Sequence, residues 1–353
     1  MLVRVYERYL SDTSWLHGFY AFSSYSQINL TPYMDAVSVG WARMEYSPEQ
    51  GASLNETSAN GNEWVKPADP SPAVDYFHEH QTPCHLNIYA SAGTAADGQA
   101  GAAAAVLSTP ESSAQAVGIL AEAARDYAGL TLDFEGLGPE LREPYAAFLS
   151  QLRDALPPEK TLYVCVQPNT WYGGYDYRAL GEVCDKVILM AHDYQWTPAE
   201  AAKHVGPAWT DSPVTPFEQI YRALRAVTHP DTGVADRSRV ALAISFSTAG
   251  LHVEENGILL EDVLYHPARD VLAQRLQQED TVVTYSERYR NPSALYTAED
   301  GALYRVWYED PQSVQDKLNL ARMFGVTGVS LWRLGIIPAS AEYDVWSVVH
   351  SAP

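Results

Sequence analysis

Gly129-Leu130-Thr131-Leu132-Asp133-Phe134-Glu135-Gly136 is the stretch that decides the fold. Its side chains alternate with period two, the repeat of a β-strand. Leu130, Leu132 and Phe134 share one face; Thr131, Asp133 and Glu135 share the other. The apolar face suits packing against helices. Two carboxylates in file suit a core poorly, because a buried charge needs a partner or shifts its pKa. A solvated strand face or a structural ion pair would also accommodate them. What favours a catalytic pair is the setting: a helical stretch precedes the strand, Gly136 ends it, and seven further strand segments share the chain.

Upstream lie His17–Phe22, Asp35–Gly40 and Cys84–Ala90; downstream lie Thr161–Gln167, Lys186–Met190, Arg239–Phe246 and Val329–Trp332. Helices are expected near Ala73–His80, from about Ser108, at 139–156 between Pro139 and Pro157-Pro158, at Pro216–Val227, at 311–324 and near 341–349. Residues 47–72, rich in Asn, Gly and Pro, read as an extended loop holding the short piece Glu63-Trp64-Val65. Residues 91–105, nearly all small, read as a mobile loop. Residues 250–307 do not fit one crossover helix. A helix at 268–279 and β-like runs at Thr281–Tyr285 and Leu303–Trp307 predict a small α+β insertion. The whole predicts an α/β protein, a (β/α)8 TIM barrel forming one catalytic domain over 1–353, with the insertion between strands seven and eight. An open doubly wound sheet is the alternative, but no Gly-rich phosphate fingerprint follows strand one. Barrel active sites gather at the C-terminal strand ends, where Glu135, Gln167, His192-Asp193, Phe246 and Trp332 fall.

Composition narrows the function. A chain of 353 residues with 46% hydrophobic content can bury a sizeable core. The net charge of −21 argues against nucleic acid and anionic membrane surfaces, which select basic patches. Cys84, Cys165 and Cys184 read as reduced thiols without metal-like spacing. His78-Glu79-His80 places two histidines at i, i+2 on a helix, which do not face one ligand position, so no metal or cofactor is expected. MLVRVYERYLSDTSW lacks a signal-peptide apolar core and no run reaches membrane-spanning length. That reads as cytoplasmic synthesis.

GLTLDFEG resembles the strand-four signature D-G-x-D-x-D-x-E of glycoside hydrolase family 18, and Leu189-Met-Ala-His-Asp-Tyr194 resembles its strand-six M-x-Y-D. Gly18-Phe-Tyr-Ala21, Tyr175-Asp-Tyr177, Val306-Trp-Tyr-Glu-Asp310 and Leu331-Trp-Arg-Leu-Gly335 are similar to the spore cortex-lytic, YaaH-like branch. The resemblance spans about residues 17–347. Three positions depart from it: Ala128 and Thr131 stand where the family has aspartates, and His192 where it has tyrosine.

Residues i and i+2 of a strand lie about 6.5 Å apart and point the same way. Such a pair does not flank an anomeric carbon from both faces, as an acid and a protein nucleophile must. The resemblance therefore implies substrate-assisted, retaining hydrolysis in which the 2-acetamido oxygen attacks. Glu135 would be acid and then base, Asp133 would orient the acetamide, and His192 and Asp193 would complete the catalytic set. Trp332 resembles the floor under the scissile sugar. Tyr20, Gln167, Met190, Phe246, Trp171 and Trp196 are further substrate-contact candidates, as are Trp41 and Tyr172. The partner implied is an N-acetylated polysaccharide. Three readings stand: an N-acetylglucosaminidase on peptidoglycan, of the spore cortex or related wall, with a coat or wall address; a chitinase or chitooligosaccharide hydrolase; and a non-hydrolytic glycan-binding barrel or coat scaffold. Retention of both Asp133 and Glu135 favours an enzyme, since binding alone needs no proton donor.

Overall fold

Eight parallel strands close on themselves. β1 (Trp15–Tyr20), β2 (Ala36–Ser47), β3 (Cys84–Ser91), β4 (Gly129–Glu135), β5 (Thr161–Val166), β6 (Lys186–Leu189), β7 (Val240–Ser245) and β8 (Gly328–Trp332) pair in chain order. β1 completes the ring by pairing with both β2, His17 opposite Ala36, and β8, Trp15 opposite Gly328. The computed structural model describes residues 13–93, 101–206, 211–341 and 343–350. The barrel is the (β/α)8 architecture that the alternation of strands and helices predicts, and the open sheet is excluded by closure.

Strand parity sorts the side chains. On β4, Leu130, Leu132 and Phe134 are fully buried in the outer layer, where Phe134 stacks with Tyr145 and Phe148 of helix Arg142–Ala155. The opposite parity fills the barrel interior with Trp15, Phe19, Tyr163, Cys165, Ile188 and Met190, against which Trp332 packs. The helices start where local chemistry directs them. Thr109 caps Pro110–Ala123 by accepting the Ser112 N–H at 3.2 Å, and Asp310 caps Pro311–Met323 by accepting that of Ser313 at 2.7 Å.

Four segments differ from expectation. Within 47–72 the chain forms a hairpin: Gly51–Asn55 runs antiparallel to the end of β2, whose strand continues to Ser47. Of the small-residue stretch, 94–100 lies outside the described residues, while Ala102–Leu107 is helical. The insertion is α+β as expected, with helix Arg269–Arg275, but its antiparallel sheet has five strands rather than two, in the order Leu259–Tyr265, Ala249–Val253, Leu303–Trp307, Asn291–Thr297, Val282–Ser286. The closing helix is only Trp346–Val349.

A buried ion pair ties insertion to barrel. Lys317 Nζ lies 2.6 Å from Glu309, which also accepts from Ser313 at 2.5 Å, from Asn291 of the insertion at 3.1 Å and from the Thr215 hydroxyl. Burial lowers the Lys317 pKa and Glu309 opposes that shift. With every lone pair occupied, the pair avoids the cost of a lone buried charge.

Candidate active site

The two carboxylates sit at the mouth of the barrel on the inward face of β4, opposite Tyr89 and Ser91 of β3 in register. Asp133 is 3% exposed, and its Oδ1 has no hydrogen-bond partner among the described residues. Burial raises its pKa, against the smaller influence of Cys165 and Asn87, which favour the charged form. Glu135 is raised too, first by burial and then by the charge of Asp133, with His192 opposing and Asp193 adding to the rise. Both shifts run the same way, so burial and the neighbouring carboxyl together favour retention of a proton on the pair.

A scaffold from the following loop holds Glu135. Gly136 turns the chain at φ +74°, and its N–H donates to Gln167 Oε1 at 2.7 Å. Gln167 Nε2 lies 3.4 Å from Glu135 Oε2. The Tyr175 hydroxyl donates to the Phe134 carbonyl at 2.8 Å, and that of Tyr177 donates to the Gln167 carbonyl at 3.1 Å. Both tyrosines are buried, so these bonds lock the end of β4 to the loop after β5.

Across the mouth, His192 is buried and its Nδ1 lies 2.7 Å from Asp193 Oδ2. Burial lowers the His192 pKa, but Asp193 and Glu135 outweigh it and the net shift is upward. Asp193 itself sits in the left-handed region at φ +60°, a conformation rare outside Gly, Asn and Asp.

An aromatic wall adjoins the carboxylates. Trp332 meets Phe19 edge-on at 5.2 Å and Trp64 at 6.1 Å, and Trp64 stacks on Tyr89 at 5.3 Å. Gly40 of β2 makes room for that indole: a Cβ there would lie 2.9 Å from the Trp64 ring. Burial, then Glu135 and Asp133, push the Tyr89 phenol up to about 12, so it stays a neutral donor beside them.

Asp133, Glu135, Gln167, His192, Asp193, Met190 and Trp332 thus gather at one mouth. Tyr20 and Phe246 do not join them. Both have the outward parity of their strands and are buried in the outer layer, Tyr20 edge-on to Phe77 at 5.3 Å. Trp41, 1% exposed, is buried in that layer as well. Trp171, against Tyr194 at 4.3 Å, and Trp196, stacked on His204 at 4.1 Å, stand on loops beyond the carboxylates, and Tyr172 is an exposed loop residue. Asn87, Tyr89, Trp64 and Tyr175 are residues that sequence reasoning left out of the site. The parity of β3, read as that of β4 was, yields Asn87 and Tyr89; nothing local announces Trp64. A cavity of about 660 Å³ lies elsewhere, between Arg142, Tyr177 and His229, and neither carboxylate lines it.

Against known proteins, the family model for glycosyl hydrolases family 18 matches residues 21–336. The cortical fragment-lytic enzyme of Bacillus anthracis is 28% identical over 215 residues, which cover 58% of this chain and 45% of that protein. The chain spans about half the length of the curated cortical fragment-lytic relatives it matches. Among solved structures, the Bacillus cereus spore cortex-lytic enzyme SleL superposes with a TM-score of 0.71 at 16% identity, over 95% of this chain and 73% of that one. A chitinase from Chromobacterium violaceum gives 0.72 at 21% identity, over 96% and 99%. At such identities the superpositions establish the fold.

Proposed function

The chain belongs to glycosyl hydrolases family 18, and from that premise we propose that it is a retaining glycoside hydrolase cleaving β-linked N-acetylglucosamine in peptidoglycan by substrate assistance. The observation that carries this reading is the Asp133–Glu135 pair on one strand face at the barrel mouth, Asp133 buried and Glu135 half-buried, with both carboxyl pKa values raised. Glu135, kept protonated by burial and by Asp133, protonates the leaving oxygen. Its partner on the same strand cannot reach the far face of the sugar, which leaves the acetamide as nucleophile. Asp133 then orients the acetamide N–H and balances the oxazolinium charge, and Glu135, now ionised, activates water. His192 faces the acetamide from the other side, with Asp193 holding its Nδ1 proton. Trp332 and Trp64 offer apolar faces to sugar rings, while Gln167 keeps the acid in place.

Peptidoglycan is preferred to chitin because relatives named for cortical fragments match this chain in sequence. The substrate in turn implies a spore or wall association. Digestion of cortex peptidoglycan and chitohexaose side by side, with product masses and anomer analysis, tests the reading. Muropeptides ending in reducing N-acetylglucosamine, released first as the β-anomer, are expected. Cleavage of chitohexaose alone would move the substrate to chitin. Folded protein that releases nothing from either would leave a binding barrel.

A further inference from the structure

Asp133 is buried with one carboxyl oxygen open, and its surroundings narrow what can hold it. On its own strand, Thr131 lies one step deeper, but its hydroxyl is committed to Ser38 Oγ at 2.7 Å and stands 3.4 Å from His85 Nδ1. Glu135, one step outward, is the other half of the pair. From β5 comes Cys165, a fully buried thiol and a weak donor. From the end of β6 come His192 and Asp193, which are bonded to each other. Behind the strand, Tyr175 is spent on the Phe134 carbonyl, and Tyr145 packs on Phe134 in the outer layer. β3 contributes Tyr89, in register with Asp133, and Asn87, in register with Thr131.

Asn87 is unlike the rest. It is fully buried on the inward parity of β3, and neither its Nδ2 nor its Oδ1 has a hydrogen-bond partner among the described residues. A buried amide left open at both ends is rare and calls for an explanation. The Oδ1 of Asp133, equally buried, is open as well. Asn87 favours the charged form of Asp133, so the two side chains already interact without closing a bond of ordinary geometry.

We propose that Asn87 is the positioning residue of Asp133, its amide serving both protonation states of that carboxyl from inside the barrel. The Nδ2–H donates to the carboxylate; when Asp133 is protonated, the amide oxygen accepts its O–H. An amide does not titrate, so it matches either state by a small rotation and adds no charge of its own. The inference rests on the role given to Asp133 above.

The test reads Asp133 directly. Protein carrying ¹³C in its aspartate side-chain carboxyls is titrated by NMR, the Asp133 resonance being the one lost in Asp133→Asn. In Asn87→Leu, which keeps the shape and removes both polar atoms, the Asp133 midpoint is expected to rise by about one unit, a tenfold change in proton affinity. In Asn87→Asp, the resonance should titrate in two coupled steps. A Leu variant whose Asp133 midpoint stays within about 0.2 unit of wild type overturns the proposal, that being well under the shift expected for a lost charge-assisted hydrogen bond. Should the Leu variant fail to fold, a single unshifted step in the Asp variant overturns it instead. The readout needs no turnover: shifted midpoints in a protein that cleaves no glycan would sink the proposed function and leave this assignment standing.

Discussion

The barrel interior has two polar layers, and they are built on opposite principles. The deeper layer is a chain of bonds among neutral groups. Ser330 meets His17 Nδ1 at 2.8 Å, His17 Nε2 meets Ser38 at 2.7 Å, Ser38 meets Thr131 at 2.7 Å, and Thr161 closes on His85 Nε2 at 2.8 Å. Burial drives His17 well below its usual range and His85 down to about 4, so both stay neutral, each with one donor and one acceptor. Two residues beyond Thr131 on β4, Asp133 is buried with an open oxygen and Glu135 is held beside it against mutual repulsion. The hydroxyls and imidazoles of the deeper layer satisfy one another and are structure; Asn87, at the level of Thr131, is the open group there. The outer layer leaves its groups wanting and is poised for chemistry. β4 contributes to both through Thr131 on one side and Asp133 and Glu135 on the other.

The hardest test of that contrast is Glu135→Gln. Loss of a positioned acid costs about 10²–10⁴-fold in rate, more where the same group later acts as base. Retention of more than about a tenth of wild-type kcat would remove Glu135 from the mechanism. The same variant should gain stability, and the sign follows from linkage. Glu135 binds its proton more tightly folded than unfolded, so its contribution is intact below the unfolded pKa and is lost as pH rises above it. At pH 8 the Gln variant is expected to melt a few degrees above wild type, at about 2 °C per kcal/mol, with the gap closing near pH 4. Melting curves across that range check it.

His192→Tyr should have a smaller effect, confined to pH dependence. With Nδ1 bonded to Asp193, neutral His192 presents an unprotonated Nε2 to the site, and protonation turns that nitrogen into a donor on a charged ring. An imidazolium also opposes the positive oxazolinium. Wild-type kcat is therefore expected to fall on the acid side as His192 protonates, with a midpoint above the ordinary histidine value because Asp193 and Glu135 outweigh burial. The tyrosine variant, neutral throughout, should lose that limb. Superimposable pH–rate profiles would show that His192 does not titrate in the reaction.

The same parity that separates the layers explains what the sequence disclosed. Eight strands were legible because their outer faces are continuous in Leu, Val, Ile and Phe. The carboxylates were legible because they interrupt the inner one. Tyr20 and Phe246 were misplaced because nearness to a strand's end was given more weight than the face on which each falls; Tyr20 shares the parity of Leu16, and Phe246 that of Leu242 and Ile244. The strands of the insertion were harder to see. The runs read as β-like, Thr281–Tyr285 and Leu303–Trp307, do form strands, but Leu259–Tyr265 is an edge strand with exposed apolar residues and no clean alternation, and Asn291–Thr297 carries a proline at its second position. Trp64 was invisible as a site residue, since a loop from one hairpin reaches the mouth only through tertiary packing.

The smallest expected effect probes the deeper layer. Thr131→Val keeps the shape of the side chain and removes the hydroxyl that links Ser38 to His85. Ser38 retains its bond to His17, and His85 its bond to Thr161, so the chain is broken once and each neighbour is left with one partner. A hydroxyl lost from a buried network, with its neighbours partly satisfied, costs about 1–3 kcal/mol. Because His17 and His85 are already neutral across the working range, the loss should be nearly independent of pH between 5 and about 9, the range above their lowered pKa values. Melting temperature should drop by a few degrees, while kcat and its pH profile stay near wild type. A Thr131→Val enzyme with an unchanged melting point and a displaced pH–rate profile would mean that the deeper layer feeds protons to Asp133, and the division between the two layers would fail.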